Sequence, residues 1–526
     1  MLSVYPDTIF DNIYNQVGYG HPGHSGSGSF RDFYQEISYG QFLPRGDIYD
    51  WEMAPENHDY YAYSNPDGYA HVLELVRAMV DSAEANGMDW SQYDNDGDGN
   101  VEALTIIHAG PGAEQGDHSN IWSHRWSLSA AGLQVQYDSV WIDDYSINPE
   151  IQSGNIVAIG VISHEFGHIL GLPDLYDTDY SSSGAGKLAL MASGSWGTSG
   201  NSPWYPSAMN AWSKTEMGWT NVITLTTDQN SLPIEQSYTS NTVYQVDHTT
   251  DDSEYWLIEN RQKRGTDVLM PSGGLLFWHI DTEKTSGWGV NNDEPHYGVG
   301  LEQADGQYDL ESGFGSDGGD PYPGTANNHT FSNSTTPNTH SYYDIPSMIA
   351  FENISAADSL MTLDLTFGDY LLGYLTVSSG SGNAYDTGTV DISLDNPHPV
   401  TTLQFILNQE PAILSIESVE LLGRANADTV LINDDQLLFV NPNIPTGNGP
   451  ILRVTFFANT SITQDVVLSF SGIYAADTAN AEIGLLGNYN LYHIQAIPQA
   501  FTITADSAAP GTGGSYTLNL ENSVVP

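Results

Sequence analysis

Apolar and polar positions in the first 220 residues or so mix two periods. In 70–86, Val72, Val76, Met79, Val80 and Ala83 recur at the spacing of one helical face, and Gly87 supplies the stop. The same period runs through 155–170 at Ile159, Ile162, Phe166 and Ile169, with Gly171 and Pro173 behind it. A short helix is predicted over 206–217, with Pro206 near its start. VEALTIIHAG, from Val101, reads as a buried strand entering a Gly/Pro loop, and LQVQYDSVWI, from Leu133, alternates like a second strand. After about residue 224 the helical period disappears. YWLIENRQK and GGLLFWHID are apolar strands between polar loops, a pattern that continues to about 368. From Tyr370, short strands such as TVDISLDN, TTLQFILN, ILRVTFFAN and DVVLSFSGIY follow at regular spacing, the pattern of a β-sandwich. The predicted class is α+β followed by all-β, divided as 1–224, a β-rich 225–368 belonging to the same unit, a sandwich over 370–505, and a linker and truncated tail over 506–526.

Charge narrows the partners. Twelve Lys+Arg against 66 Asp+Glu leave a formal net charge of −54. Nucleic acid and anionic membranes would be repelled. Aromatics at 11% supply too much burial capacity for a disordered acidic chain. Cysteine is absent, so a disulfide framework, a thiolate nucleophile and a Cys-ligated metal are excluded. No run approaches the ~18 apolar residues of a membrane span. The first 16 residues lack the basic region and apolar stretch of a signal peptide, and read as the start of a mature or trimmed chain. With the acidity and the Ser/Gly/Asn/Thr-rich loops, the expectation is a secreted protein whose signal peptide and pro-segment lie outside this sequence.

One segment carries metal chemistry. HEFGH, His164 to His168, lies inside the helix of 155–170. Positions i and i+4 stack on one helical face, so both imidazoles can reach one zinc at about 2.0–2.1 Å. Glu165, one residue along, can reach a water there as general base. The run continues as HEFGHILGLPDLYD. A glycine at 171 lets the chain leave the helix with positive φ and turn back, which brings Asp174 in as a third, oxygen ligand. Asp177 competes for that role, with a capping or calcium-binding carboxylate as its alternative. Three ligands would leave a position for water, and the expected reaction is attack of a zinc-activated water on a carbonyl, with the proton passed by Glu165 to the leaving amine.

A second acidic loop points to calcium. YDNDGDGNVE sets Asp94, Asp96 and Asp98 at alternate positions, with Asn100 offering a carbonyl and Glu102 contributing directly or through water. It is no full EF-hand, because Thr105 stands at the twelfth position and a strand follows. The alternative is a solvated acidic turn. Histidines 21, 24, 58, 118 and 124 fall in polar stretches and read as surface or loop structure, and His108 is given no role.

HEFGHILGLPDLYD resembles the extended zinc motif of the immune inhibitor A family of secreted bacterial metallopeptidases, which are related to the metzincins. FRDFYQEISYGQF, DNDGDGNVEALTIIHAG, IWSHRW, LALMASGSWG and GGLLFWHID resemble further family segments in the same order, across about 1–368. The resemblance implies a zincin/metzincin-like catalytic domain in 1–224, a zinc endopeptidase activity on protein and peptide substrates, and Met191 as a methionine turn beneath the metal. Metzincins often carry Tyr two residues after that methionine, whereas Ser193 stands here. The oxyanion-stabilising group therefore stays open, with His279 and several tyrosines as candidates. Residues 371–505 resemble a cohesin module, which implies a dockerin-type or surface partner; a generic immunoglobulin-like spacer is the alternative. The competing function is a catalytically inactive peptidase fold that acts as a scaffold through this module, and the intact Glu165 argues against it. A carbohydrate-active reading lacks a carboxylate pair to support it.

Overall fold

A computed structural model describes residues 3–249, 251–368, 373–396, 398–433, 435–477, 483, 485–496, 500–505 and 516–521. The chain divides into two compact units, one formed by 1–342 with 349–366 and the other by 343–348 with the remainder. The class is α+β with β-rich parts. No helix among the described residues is long and apolar enough to cross a membrane.

The first unit opens with helices α1 (Asp7–Asn15) and α2 (Phe30–Ile37). A capping box starts α2: Ser29 accepts from the Asp32 N–H while Asp32 accepts from that of Ser29. Helix α3 (Gly68–Ala85) buries Val72, Val76, Val80 and Ala83 as their spacing predicts, while Met79 is half-buried. A small sheet has the order β1 (Leu104–Pro111), β5 (Asp144–Gln152), β2 (His124–Ser127). Strand β1 runs parallel to β5, and β2 lies antiparallel at the edge. Leu104, Ile106, Tyr145 and Ile147 pack with α3.

Three sequence expectations are corrected by the structure. LQVQYDSVWI is not one strand but a hairpin of β3 (Val135–Tyr137) and β4 (Val140–Ile142). Asp138 and Ser139 turn it with positive φ, a conformation that alternation alone does not reveal. The helix read over 155–170 starts later. Asn155 and Ile156 first pair back on β5 as β6, and helix α4 then spans Ile159–Ile169. Helix α5 covers only Ala211–Glu216, with Asn210 capping it through the Ser213 N–H.

Beyond 220 the first unit is β-structure. Strands β7 (Asn221–Thr224), β9 (Thr242–Asp247), β10 (Glu254–Arg261), β11 (Gly274–Asp281) and β12 (Val299–Leu301) form one sheet. Another contains β8 (Gln229–Glu235), β13 (Phe331–Ser332), β14 (Ile349–Glu352) and β15 (Leu360–Phe367). Trp256 and Phe277 of the former meet Phe331 and Phe351 of the latter. Two of the scarce basic residues are spent internally. Lys214 on α5 pairs with Glu259 at 2.8 Å, and Arg261 pairs with Asp267 while donating to the Leu188 carbonyl. Each charge is buried and matched, as burial requires.

The second unit is a sandwich. One sheet contains β16 (Gly373–Val377), β18 (Thr387–Asn396), β20 (Leu414–Leu421), β23 (Gly447–Ala458) and β25 (Leu485–Gly487). The other contains β17 (Gly380–Asn383), β19 (Thr402–Glu410), β21 (Thr429–Asn433), β22 (Gln436–Val440), β24 (Gln464–Ala476) and β26 (Asn490–Gln495). Alternate residues such as Val390, Ile392 and Leu394 build the core between them. The segment read as linker and tail carries a strand, β28 (Tyr516–Glu521), paired with β27 (Ala500–Ala505); its remaining residues, 506–515 and 522–526, lie outside those described.

Candidate metal centre

Helix α4 presents His164 and His168 one turn apart, with their rings 4.8 Å apart. Each Nδ1 faces a backbone carbonyl, Leu190 O at 3.0 Å and Leu172 O at 2.8 Å. A carbonyl only accepts, so each Nδ1 carries the proton and each neutral ring turns a lone pair outward at Nε2. The chain leaves α4 through Gly171 at φ +97°, where any other residue would be strained. It then brings Asp174 Oδ1 to 3.2 Å from His164 Nε2 and 3.1 Å from His168 Nε2, which are themselves 3.2 Å apart.

Three acceptor atoms thus converge with no proton to share, and Asp174 Oδ1 is a buried oxygen without a hydrogen-bond donor. Acceptors in such contact repel unless a cation lies among them. Their spacing is close to the ~3.3 Å expected between tetrahedral ligands at zinc bond lengths of about 2.0–2.1 Å. The donor set of two imidazoles and one carboxylate also suits zinc.

Glu165 is buried beside this triangle. Burial raises its pKa to about 7; Asp174 and Glu114 add to the rise, while the Arg125 backbone N–H on β2 pulls the other way. Met191 lies under the helix. A Cβ on Gly167 would fall 2.4 Å from its Sδ, so the glycine is what lets the methionine approach between the two histidines. The same turn is tied in twice: Leu190 holds His164, and the Met191 carbonyl accepts from the Leu175 N–H at 2.7 Å.

The remaining sequence candidates fall elsewhere. Asp177 is buried but faces its own loop, accepting from the Asp179 N–H, the Ser181 hydroxyl and the Ser182 N–H. It caps the loop and is not part of the triangle. Ser193 opens a 3₁₀ turn, Ser193–Trp196. His279 is buried between Glu254 at 2.8 Å and Glu302 at 2.9 Å, so neither nitrogen is available to a substrate. Tyr176 was not singled out by sequence, yet its ring stacks over His164 at 6.1 Å. Its place two residues after Asp174 was the available signal. His124 is not a loop residue: it opens strand β2, with Nδ1 donating to Trp122 O and Nε2 meeting Tyr145 OH. His21 is likewise buried rather than on the surface.

In the acidic loop, carboxylate oxygens of Asp94, Asp96 and Glu102 come within 4.8 Å of one another. Asp98 is not in that group; it accepts from the backbone and side-chain nitrogens of Asn100. Asp94 accepts from Gly97 and Gly99, and Glu102 from Asn95 and Asp96. A further group, Glu254, Asp281 and His296, is equally close, but His279 and the Tyr342 N–H already bond Glu254, and His296 bonds Asp281 at 2.6 Å.

Residues 3–220 match the family described as Immune inhibitor A peptidase M6, catalytic domain. The resemblance carried by HEFGHILGLPDLYD is thereby borne out over that stretch, which stops short of residue 368. Immune inhibitor A of Bacillus thuringiensis subsp. alesti is 33% identical over 201 residues, covering 32% of this chain and 28% of its own length. The pre-pro-metalloprotease PrtV of Vibrio cholerae is 31% identical over 241 residues, covering 40% of this chain and 26% of its own. The matched stretch thus spans about a quarter of each relative. Among solved structures, the cohesin–dockerin complex Coh-OlpC–Doc435 of Clostridium thermocellum aligns with 24% of this chain and 96% of that chain at 14% identity and a TM-score of 0.22. A non-cellulosomal cohesin from Archaeoglobus fulgidus aligns with 24% and 91% at 17% identity and a TM-score of 0.21.

Proposed function

We propose that this chain is a secreted zinc endopeptidase of zincin/metzincin type that hydrolyses peptide bonds in protein substrates, with Glu165 as general base. The observation that carries the reading is the triangle of His164 Nε2, His168 Nε2 and Asp174 Oδ1 beside a buried glutamate. His164, His168 and Asp174 would hold the ion, and Met191 would floor the site. Bound zinc supplies the Lewis acidity that activates water and polarises a carbonyl. Glu165 takes a proton from water and returns it to the leaving amine. A carboxylate whose pKa burial has raised to about 7 serves both steps near neutral pH, and a cation nearby draws it toward the ionised base. Strand β2 is terminal in its sheet, so its outer edge can receive an extended peptide as an added strand next to Glu165.

The test is hydrolysis of a generic protein substrate by the full chain, with and without chelator, together with zinc analysis. Glu165→Gln should keep its zinc and lose activity by about 10²–10⁴-fold. Near-native hydrolysis by that variant would overturn the mechanism. A zinc-loaded wild-type chain without hydrolysis would favour the inactive scaffold instead.

The loop of Asp94, Asp96 and Glu102 is proposed as a structural calcium site, with Asp98 and Asn100 shaping the turn rather than leading the ligand set. For the sandwich we propose a surface-partner role of dockerin type. Leu431, Leu438 and Tyr474 stand exposed in one cross-strand row on the outward face of its six-stranded sheet and would serve as the contact.

A further inference from the structure

Trp288 is 83% exposed, an unusual position for so large an apolar side chain. It lies between two glycines at the tip of the connection from β11 to β12, residues 282–298. That connection is not loose. Asn291 is fully buried and donates from Nδ2 to the carbonyls of Leu175 and Val299, while its Oδ1 accepts from the Val299 N–H. Asn292 accepts from the Thr178 N–H at 3.0 Å and donates to the Thr178 hydroxyl at 2.7 Å. Glu294 accepts from the Ser181 hydroxyl. The loop is therefore pinned to the chain that begins one residue after Asp174.

From that anchorage the tip reaches strand β2. The Trp288 ring lies 6.1 Å from that of Trp126, tilted by 41°. Trp126 is on edge strand β2, which packs against helix α4, and is 41% exposed. The two indoles thus join edge strand β2 to the chain that follows Asp174.

We propose that Trp126 and Trp288 form a substrate subsite that takes a large apolar side chain, aromatic or branched aliphatic, of a peptide extended along β2. The inference rests on the peptidase reading. A peptide strand added to β2 places alternate side chains on alternate faces. One set falls on the face that carries His124 and Trp126, where the indoles offer flat, amphipathic, poorly mobile surface. Holding a loop tip rigid with a buried asparagine reduces the entropy lost when a side chain docks there.

The experiment uses the full-length, zinc-loaded Glu165→Gln chain, so that binding is read without turnover. Fluorescein-labelled peptides of one length, each with Phe, Leu, Arg or Ala at a single scanned position, are titrated by anisotropy. At one position the Phe and Leu peptides should bind about tenfold or more tighter than the Ala peptide. Trp288→Ala should reduce that ratio to near one, chiefly by weakening the Phe and Leu peptides. Trp288→Phe should restore most of it, which separates loss of the surface from loss of folding. Trp126→Ala should act like Trp288→Ala. No apolar preference at any position, an Arg peptide that binds tightest, or a ratio unchanged in both alanine variants would overturn the subsite. Failure of the peptidase reading looks different: the binding ratio would persist while the wild-type chain hydrolysed none of the peptides.

Discussion

At the scale of single residues, Asp174 and Asp177 are three positions apart, both acidic and both just beyond the turn at Gly171, yet they do different work. Asp174 points a donorless oxygen at two imidazole lone pairs, whereas all of Asp177's bonds are to its own loop. Asp174→Ala should lower zinc content measured after dialysis, together with activity. Asp177→Ala should keep zinc but destabilise the unit by about 1–3 kcal/mol, because N–H groups lose their buried acceptor. Full zinc in the Asp174 variant and loss in the Asp177 variant would reverse the assignment. His279 shows the opposite kind of burial. Its charge is penalised by desolvation, but Glu254 and Glu302 outweigh that and raise its pKa from 6.5 to about 9. A raised folded pKa stabilises fully below 6.5 and ceases to do so as pH passes through about 9. The melting temperature should therefore fall over that window, and His279→Gln should flatten the fall relative to wild type.

At the scale of elements, helix α4 and the turn at Met191 act as one piece. The helix has room for the methionine only because position 167 lacks a side chain. Gly167→Ala should cost about 1–3 kcal/mol by overpacking and weaken zinc retention as the histidines shift. Met191→Ala should relieve part of that, so the double variant should be less destabilised than the sum of the singles, read by denaturant titration. Additive costs would show that the two do not touch. Much of α4 was legible in advance because HEFGH combines i, i+4 spacing with an apolar face. The true start of the helix was not, because Asn155 and Ile156 are claimed by pairing with β5. The hairpin at 135–142 was hidden for a similar reason: alternation fits one strand or two, and positive φ at Asp138 and Ser139 chose.

For the whole molecule, charge sets the behaviour of the surface. With a formal net charge of −54 and two of the few cations buried in pairs, the surface carries almost unrelieved acidity. Raising NaCl toward molar levels should raise the melting temperature by screening self-repulsion. A fall would count against this. Calcium should act locally at Asp94, Asp96 and Glu102. Bound ion at a hundredfold excess over its dissociation constant would add about 2.7 kcal/mol. Removing it with zinc retained should lower the melting temperature, and Asp96→Ala should abolish the response to added calcium. No calcium effect in the wild-type chain would leave the loop a self-capped acidic turn.

The boundary between what the sequence determined and what the tertiary structure decided follows the range of the interactions. Helical spacing, the glycine after the motif, the acidity, the missing cysteine and the alternating sandwich strands are local or additive properties, so they could be read along the chain. The convergence of His164, His168 and Asp174 belongs partly to this class, because a single turn and a single glycine bring them together. Contacts between distant segments do not. Trp126 meets Trp288, Asn291 holds Leu175, and His279 sits between Glu254 and Glu302 only because sheets and loops far apart in sequence pack together. A histidine in a polar stretch, such as His124, looks the same in sequence whether it ends on the surface or in an edge strand. Its partner Tyr145 is supplied by strand pairing, which no local pattern encodes.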